Sequence, residues 1–241
     1  MHKHIFFDMD DTLTLSKSAM DVAHVPLFLE LCASHDVIVV SGQDEQNIRR
    51  QIPSEADGRY YLLTQNGNHA IDKNGTVMWY EEFSAQQKEA IMAFIKTVHD
   101  ELALQVKDEN DLVEDRGSQI SYSLIGHHEE VAKKKAFDPK AEKRIQILRE
   151  HAAEVDALKQ LGVEISAGGT TCFDIILLGR NKGFNVARLI EHEGWKKDES
   201  LYVGDALEPG RNDESVIGVI ATHAVKDHFD TFRFIKENLV S

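Results

Sequence analysis

Three aspartates follow a short apolar run near the start of the chain, in the segment IFFDMDDTLT. Asp8 comes directly after the apolar residues, and Asp10 and Asp11 follow within the same segment. Two later apolar runs also lead into polar residues: VIVV is followed by Ser41, and LYVG by Asp205. A carboxylate attacks a phosphoryl group only when nearby cations and hydrogen-bond donors offset the negative charge of both groups. These residue types therefore suit phosphoryl transfer at a site that also holds positive charge.

A cation is needed if these strand ends are neighbours. Ligands of an open parallel sheet bind at the carboxyl ends of its strands, so Asp8, Ser41 and Asp205 are predicted to share one crevice. Two facing carboxylates repel each other by roughly 1 to 4 kcal/mol at about 4 Å. A hard divalent ion with oxygen ligands relieves this repulsion, and Mg²⁺ above all meets the need. Lys182, at the predicted start of a helix after LLGRN, can reach the same crevice.

The first motif supplies the predicted nucleophile and the predicted acid and base. Asp8 attacks the phosphorus in this scheme and also binds the metal. Asp10 offers its backbone carbonyl to the metal and its side chain as general acid and base. Asp11 has no necessary role.

The later motifs supply donors and further metal ligands. Ser41 and Lys182 are predicted to donate hydrogen bonds to the oxygens of the transferring phosphoryl group. Asp205, in the acidic segment GDALEPGRND, is predicted to anchor the metal, with Asn212 and Asp213 of the same segment in support. Each signal is weak alone, because aspartates after strands often cap helices and Ser-Gly pairs often fill turns. Their order and their common location at strand ends carry the prediction.

The elements that position these residues are typical of an α/β protein with an insert. Continuous apolar runs bounded by polar turns indicate strands buried on both faces, hence a parallel sheet between helices. Such runs fill residues 1–82 and 175–241, and HAIDKNGTVMWY indicates a hairpin. Residues 83–174 instead show a helix, two alternating strands, a charged helix and two more strands, a compact α+β unit. We predict a Rossmann-like core of residues 1–82 and 175–241, interrupted by an α+β cap of residues 83–174.

The composition argues against several classes of partner. The chain has 27 basic and 41 acidic residues, a formal net charge of −14, which disfavours a nucleic-acid or anionic-membrane surface. Cys32 and Cys172 are too few and too far apart for a disulfide framework or a cysteine zinc site. The N-terminal MHKHIFF lacks the apolar stretch of a signal peptide, and the chain has no apolar run of about 18 residues. We expect a soluble cytoplasmic protein, and the sequence leaves a homodimer open.

These motifs, in this order, resemble those of the haloacid dehalogenase superfamily of aspartate-dependent phosphotransferases. DMDDTLT resembles the first motif, VVSG the second, Lys182 the third and GDALEPGRND the fourth. The insert between the second and third motifs is similar to the large α/β cap of subclass IIB. Within the superfamily the chain looks most like the eukaryotic-type phosphomannomutases and related sugar phosphatases, through TQNGNHAI, EDRGSQISYSLIGH and SAGGTTCFDIILLGRNKG. The resemblance implies Asp8 as nucleophile, Asp10 as acid and base, Asp205 as metal ligand, and a small phosphorylated sugar as substrate.

The resemblance also implies a set of substrate-binding residues. Arg116 falls where the mutases bind the phosphate of the substrate, and Lys134 lies near a second cationic position. Asp174 matches an acidic residue that contacts sugar hydroxyls, and Lys17 falls where the mutases carry a basic residue near the first motif. With the second-motif residues and the histidine of SLIGH, the predicted set is Lys17, Gly42, Gln43, Arg116, His127, Lys134 and Asp174.

Four departures from the mutase pattern bear on the reaction. SLIGH replaces SPIGR and puts His127 where a phosphate-binding arginine is expected; Asp11 replaces a glycine, SGQ replaces GGS, and Cys172 replaces a serine. A mutase must hold a bisphosphorylated sugar at both ends, and arginine offers bidentate phosphate contacts that histidine does not. We therefore predict a Mg²⁺-dependent sugar-phosphate phosphatase that acts through an aspartyl phosphate. The alternative is a hexose-phosphate mutase of the phosphomannomutase type.

Two remote alternatives are not enzymes. A phosphoaspartate receiver module also combines an acidic cluster, a Ser or Thr and a late Lys on an α/β sheet. In this chain Ser41 stands where the phosphorylated aspartate of a receiver is required, and the insert has no purpose in that scheme. A non-catalytic binding protein is disfavoured because every expected catalytic position is filled.

Overall fold

The computed structural model describes residues 2–209 and 211–240. The chain divides into two compact units: the first comprises Met1–Tyr80 and Arg180–Ser241, and the second comprises Glu81–Gly179. The boundaries predicted from the sequence lie after residues 82 and 174. The second of these positions falls inside a strand, because the last strand of the insert continues to Leu177. The role of the second unit as a cap stays a prediction.

The helices and strands alternate in the first unit and follow a different order in the second. Before the insert come β1 (His4–Asp8), α1 (Val25–Ser34), β2 (Asp36–Val40), α2 (Glu45–Gln51), β3 (Tyr60–Thr64), β4 (His69–Ile71) and β5 (Val77–Tyr80). The insert contains α3 (Ala85–Leu102), β6 (Val113–Asp115), β7 (Gln119–Ser123), α4 (Val131–Phe137), α5 (Glu142–Glu150), α6 (Ala152–Gln160), β8 (Val163–Gly168) and β9 (Cys172–Leu177). The first unit resumes with α7 (Lys182–Glu193), β10 (Ser200–Gly204), β11 (Ala221–Ala224) and α8 (His228–Asn238).

The first unit is built on one seven-stranded sheet in the order β11-β10-β1-β2-β3-β4-β5. The five strands from β11 to β3 are parallel, and β4 and β5 form an antiparallel hairpin at one edge. The chain leaves β1 toward β2 on one side and returns to β10 on the other, which makes the end of β1 the topological switch point where ligands of such sheets bind. The predicted parallel sheet and its hairpin are confirmed.

The apolar runs form strands because both faces of this sheet are covered. All five residues of β1 are buried. Phe7 packs in a cluster with Phe28 of α1 and Phe232 of α8, whereas Phe6 packs in another cluster with Leu189 of α7. Full burial of such a side chain contributes roughly 1.5 to 3 kcal/mol, so the strand is held firmly at the point where Asp8 leaves it.

The second unit is a four-stranded antiparallel sheet with helices on one face. The strand order is β6-β7-β9-β8, and Tyr122 and Phe173 pack with Phe94 of α3 and Leu158 of α6. The alternate residues form a polar row across the sheet, in which Ser121 pairs with Glu114, Asp174 with Ser121 and Ser166 with Asp174. The single charged helix predicted after the first two strands is in fact α5 and α6, which meet at His151 with φ −100° and ψ 29°. In the part of the chain that the structure describes, no helix is both long and apolar enough to cross a bilayer.

A buried arginine holds the β8–β9 turn against α5. Arg144 is 2% exposed, and its Nε donates to Asp138 Oδ2 at 2.9 Å. Its Nη1 donates to the carbonyl oxygens of Gly169 and Cys172 at 3.2 and 2.9 Å. Burial alone would raise the pKa of Asp138, but the bonds from Arg144 and nearby N–H groups lower it.

We expect the Arg144→Met variant to lose about 3 to 5 kcal/mol of unfolding free energy, because it leaves the Asp138 carboxylate and these carbonyls without their buried cation. Urea denaturation of the full chain measures this loss. Arg149→Met, at an exposed position of the same helix, is the matched control and should change the free energy by no more than about 0.5 kcal/mol. Equal effects of the two substitutions would contradict the assignment.

Candidate active site

Three strand ends meet at one edge of the seven-stranded sheet. β1 ends at Asp8, β2 is followed by Ser41, and β10 is followed by Asp205. β1 lies between β2 and β10 and runs parallel to both, so these residues leave the sheet side by side. The Thr12 hydroxyl accepts a hydrogen bond from the Asp205 N–H at 3.0 Å, which joins the first motif to the acidic segment.

Lys182 is the buried cation of this group. Its side chain is 1% exposed, and its Nζ lies 2.5 Å from Asp8 Oδ1 and 2.7 Å from Asp213 Oδ1. Burial alone would lower the pKa of Lys182, but the carboxylates of Asp213 and Asp8 outweigh burial and raise that pKa above its ordinary value. One charged ammonium group therefore bridges two carboxylates that are far apart in sequence.

Local sequence explains why α7 delivers Lys182 to this place. The Asn181 side chain accepts a hydrogen bond from the Phe184 N–H at 3.0 Å and caps the helix just before the lysine. Gly183 allows the helix to lie against the residues that follow the acidic segment, because a Cβ at this position would lie 1.8 Å from the carbonyl oxygen of Ser215. The cap and the close approach together fix the first turn of α7.

Three carboxylates converge around one point beside the lysine. Oxygens of Asp8, Asp205 and Asp213 all lie within 4.8 Å of one another. Burial raises the pKa of Asp8 well above its ordinary value, and Lys182 only partly offsets this. Burial and the nearby Asp213 likewise raise the pKa of Asp205. The resident positive charge is therefore too small for these carboxylates.

One oxygen of Asp213 has no hydrogen-bond partner although it is buried. Oδ1 accepts bonds from Lys182 and from the Tyr202 hydroxyl, the latter at 2.8 Å, whereas Oδ2 accepts none. Gly204 leaves room for this oxygen, since a Cβ there would lie 2.4 Å from Oδ2. A buried oxygen without a donor is unfavourable unless a cation binds it.

These observations fit a hard divalent cation. Three carboxylates against one ammonium group leave a net formal charge of −2, before the half-exposed guanidinium of Arg211, 3.5 Å from Asp205, is counted. The donor atoms are all oxygens, which suits Mg²⁺ rather than a soft metal. Asp8, Asp205 and Asp213 would hold such an ion, with the orphaned Oδ2 of Asp213 as one ligand atom.

The side chains of two residues predicted to contribute to the metal site lie outside this group, while the backbone carbonyl of Asp10 stays a predicted ligand. Asn212 is exposed, whereas its neighbour Asp213 is buried. Asp10, predicted to contribute its backbone carbonyl, has both side-chain oxygens engaged: Oδ1 accepts the N–H of Lys17 and Oδ2 accepts Nε2 of Gln43, each at 2.7 Å. Asp213 is thus more central to the group than the sequence analysis expects.

Three residues near the first and second motifs were predicted to bind substrate. The side chain of Lys17 is exposed, while its backbone, at φ +55°, donates to Asp10. Gly42 is half-buried. Gln43 is buried, and its backbone N–H donates to the Ser41 hydroxyl at 3.1 Å. Its side chain contacts Asp10, which points to a role in the geometry of that carboxylate.

The four residues predicted in the insert lie in one polar cluster of the second unit. Arg116 forms an ion pair with Glu114. His127 is buried, with Nδ1 3.5 Å from Glu114 Oε1, and its carbonyl oxygen accepts a bond from Lys134 Nζ at 2.9 Å. Asp174 accepts a bond from the Ser121 hydroxyl at 3.4 Å.

His127 is held inside this cluster rather than presented at a surface. Its Nε2 lies 3.2 Å from the Ser121 carbonyl oxygen, so Nε2 carries the hydrogen and Nδ1 faces Glu114 and Cys172. Burial alone would lower the pKa of His127, but the contacts with Cys172 and Glu114 outweigh it and raise that pKa. The histidine is therefore engaged with groups of its own chain.

Two residues of these sites are not among those predicted from the sequence. Glu114 could have been found, because it lies two positions before Arg116 in a predicted strand and residues at this spacing share a face. Tyr202 stands in the middle of the apolar run LYV, where a tyrosine is ordinarily a packing residue. Only its hydroxyl bond to Asp213 reveals the second role.

The sequence matches a family profile and is similar to curated phosphomannomutases. The profile of the haloacid dehalogenase-like hydrolases matches residues 5–217. Phosphomannomutase 1 of Dictyostelium discoideum is 25% identical over 245 residues, which cover 96% of this chain and 94% of that protein. Phosphomannomutase 2 of the same organism is 27% identical over 222 residues, which cover 87% of this chain and 84% of that protein.

The fold also matches solved structures. The structure of SMU.1108c from Streptococcus mutans UA159 aligns with a TM-score of 0.72 over the full length of both chains, at 17% identity. At this identity the likeness concerns the fold alone. It agrees with a parallel-dominated sheet in one unit and a separate antiparallel sheet in the other.

Proposed function

This chain belongs to the haloacid dehalogenase-like hydrolase family and is an enzyme of the phosphatase or phosphotransferase type, and we propose on that premise that it hydrolyses the phosphate ester of a small sugar. The observation that carries the proposal is the buried group of Asp8, Asp213 and Lys182 with Asp205 beside it. The orphaned oxygen of Asp213 suits a Mg²⁺ ligand. The ammonium group of Lys182 beside Asp8 suits a nucleophilic carboxylate that attacks a negatively charged phosphoryl group.

In the proposed reaction, Asp8 is the nucleophile. Its carboxylate oxygen attacks the phosphorus, the bond between phosphorus and the sugar oxygen breaks, and Asp10 gives a proton to the departing oxygen. Lys182 and the Ser41 hydroxyl donate hydrogen bonds to the phosphoryl oxygens. Asp10 then takes a proton from water, which attacks the aspartyl phosphate, releases inorganic phosphate and restores Asp8. Asp8, Asp205 and Asp213 would hold a Mg²⁺ ion, which would supply positive charge to offset the negative phosphoryl group.

The polar cluster of the second unit favours hydrolysis over the mutase reaction. A mutase needs a strong clamp for a second phosphate, and Arg116 and His127 fall at the positions expected for one. In this chain both face the carboxylate of Glu114, and His127 is buried. A second phosphate must compete with that resident carboxylate. The similarity to phosphomannomutases over most of the chain keeps the mutase as the second candidate.

Incubation with mannose 1-phosphate and Mg²⁺, with and without a trace of hexose bisphosphate, separates the candidates. The hydrolase releases inorganic phosphate whether or not the bisphosphate is present, and chelation of the metal stops the release. Hexose 6-phosphate formed only with the bisphosphate, and without free phosphate, would overturn the proposal in favour of a mutase. Incubation with acetyl phosphate tests the receiver alternative, for which a long-lived acyl phosphate is the expected product.

The Glu114→Gln variant is expected to bind a second phosphate more tightly. The substitution keeps the shape of the side chain but removes the negative charge beside Arg116 and His127. We expect hexose bisphosphate to inhibit hydrolysis with an inhibition constant about tenfold lower, which corresponds to about 1.4 kcal/mol. Glu142→Gln, at an exposed position of α5 in the same unit, is the control. An unchanged constant in the Glu114 variant would show that this carboxylate does not exclude the second phosphate.

A further inference from the structure

A chain of buried side chains leads from Asp10 back into the first unit. Gln43 Nε2 donates to Asp10 Oδ2 at 2.7 Å, and Gln51 Nε2 donates to Gln43 Oε1 at 2.7 Å. The Thr14 hydroxyl then donates to Gln51 Oε1 at 3.3 Å. Gln43, Gln51 and Thr14 are all buried, with exposures of 8%, 6% and 1%. These hydrogen bonds tie the loop that carries both Asp10 and Thr14 to helix α2.

Which group donates and which accepts in these hydrogen bonds is determined by two groups that can only accept. A carboxylate only accepts, so Gln43 must turn Nε2 toward Asp10 and Oε1 toward Gln51. The Asn47 carbonyl oxygen, which also only accepts, lies 3.2 Å from Gln51 Nε2. The Gln43 Oε1 atom and the Asn47 carbonyl oxygen each require a donor, and both requirements place Nε2 of Gln51 in the same position. The two amides therefore have one satisfactory orientation.

We propose that Gln51 is a positioning residue for Asp10, which it does not touch. By donating to Gln43 Oε1, Gln51 keeps the Gln43 amide turned so that its N–H faces the carboxylate. An inverted Gln43 amide presents a carbonyl oxygen to Asp10, and the two oxygens repel. The proposal rests on the proposed role of Asp10 as general acid and base, because only then does its exact placement govern the rate.

Two substitutions of Gln51 separate positioning from simple packing. Gln51→Glu keeps the size of the side chain but replaces the donor with an acceptor, which forces the Gln43 amide to invert or to lose its partner. Gln51→Met also keeps the size and removes the donor, but it offers no acceptor, so the Gln43 amide can keep its orientation toward Asp10. Both substitutions remove the bond to the Asn47 carbonyl, so that loss cancels in the comparison.

The two variants are compared with wild type by steady-state kinetics, with the sugar phosphate that the wild-type chain hydrolyses as substrate. In Gln51→Glu, kcat falls about 100-fold, as for a misplaced catalytic group, while KM stays within about threefold. In Gln51→Met, which loses the donor but adds no repelling acceptor, kcat falls by an intermediate factor of about ten. The ratio of the Gln51→Glu rate to the wild-type rate rises as the pH falls, because the protonated side chain regains a donor for Gln43 Oε1.

Crystal structures of the two variants give a readout that does not depend on activity. Gln51→Glu should lengthen the contact between Asp10 and Gln43 beyond hydrogen-bond reach, and Gln51→Met should keep it at about 2.7 Å. A retained contact in Gln51→Glu, an unchanged kcat in Gln51→Met, or equal losses of kcat and of melting temperature in both variants, overturns the proposal. If the wild-type chain hydrolyses no sugar phosphate, the proposed function fails, whereas the crystal structures still decide whether Gln51 orients Asp10.

Discussion

The Asp8→Asn variant is expected to lose turnover by roughly four to six orders of magnitude, the range seen when a protease loses one residue of its catalytic triad. An amide oxygen is a poor nucleophile, so no bond to phosphorus forms. The substitution also removes one of the three negative charges that would hold the divalent ion. Both effects act on the same step, which is why this change has the largest expected effect on the rate.

Single-turnover release of phosphate, with enzyme in excess over substrate, measures this loss. The side chain keeps its size and an oxygen that can accept the bond from Lys182, so thermal unfolding should show a folded protein. Asp11→Asn is the matched control from the same segment. Asp11 is exposed at φ +59°, a conformation that Asn tolerates as well as Asp. The rate of phosphate release by the Asp11→Asn variant should stay within about twofold of the wild-type rate. Activity of Asp8→Asn within about tenfold of wild type would exclude the covalent route.

The site residues that the sequence placed together are those whose position follows from strand polarity. Asp8, Ser41 and Asp205 each follow an apolar run, and the carboxyl ends of parallel strands lie at one edge. Their association therefore depends only on the sheet being parallel and on the strands being neighbours, which the motif order already indicates. Lys182 follows for a similar reason, because it begins a helix packed on that sheet.

What the sequence could not predict depends on side-chain direction within irregular segments. Asn212 and Asp213 are adjacent and chemically similar, yet one is exposed and the other is buried beside Lys182. The difference arises from the backbone of the acidic segment and from the space that Gly204 leaves. Motif position alone predicts that Gln43 binds substrate, whereas its side chain contacts Asp10 and Gln51, the latter eight residues later. The periodicity of apolar and polar residues along the sequence does not predict such side-chain contacts.

The same limit applies to the insert. Strand alternation predicts the antiparallel sheet, and resemblance predicts Arg116 and His127 as substrate contacts. Alternation places Glu114 on the same face as Arg116, but neither alternation nor resemblance indicates that Glu114 also lies against His127. Charge pairing across a polar face depends on the register of β6 and β7, in which Glu114 is opposite Ser121. That register is a property of the folded sheet.

The Lys182→Met variant is expected to lose about 3 to 5 kcal/mol of unfolding free energy near neutral pH without added divalent ions. Lys182 is the buried cation shared by Asp8 and Asp213, and its removal leaves two buried carboxylates with a phenol hydroxyl as the main remaining donor to Asp213. The rate should also fall by about 100- to 1,000-fold, because the charge that faces the phosphoryl group is lost. Urea denaturation and phosphate release measure the two effects.

The pH dependence of this variant follows from the carboxylates it leaves behind. Burial already raises the pKa of Asp8 in the wild-type protein, and Lys182 holds it down in part. Between the unfolded and folded pKa values of such a carboxylate, the native state binds more protons than the unfolded state, so stability falls as the pH rises. Loss of Lys182 raises the folded-state pKa of Asp8 further and so widens this pH range. The unfolding free energy that the variant loses relative to wild type should therefore grow as the pH rises above about 4.

A double substitution shows whether the destabilisation of Lys182→Met has this electrostatic cause. Combining Lys182→Met with Asp8→Asn removes one of the unpaired charges, and the double variant should be more stable than the sum of the two single effects by roughly 1 to 3 kcal/mol. Lys197→Met, at an exposed position of the same unit, is the control and should be additive with Asp8→Asn. Additivity in both pairs would mean that the ammonium group of Lys182 does not balance the Asp8 charge, and would contradict the electrostatic explanation.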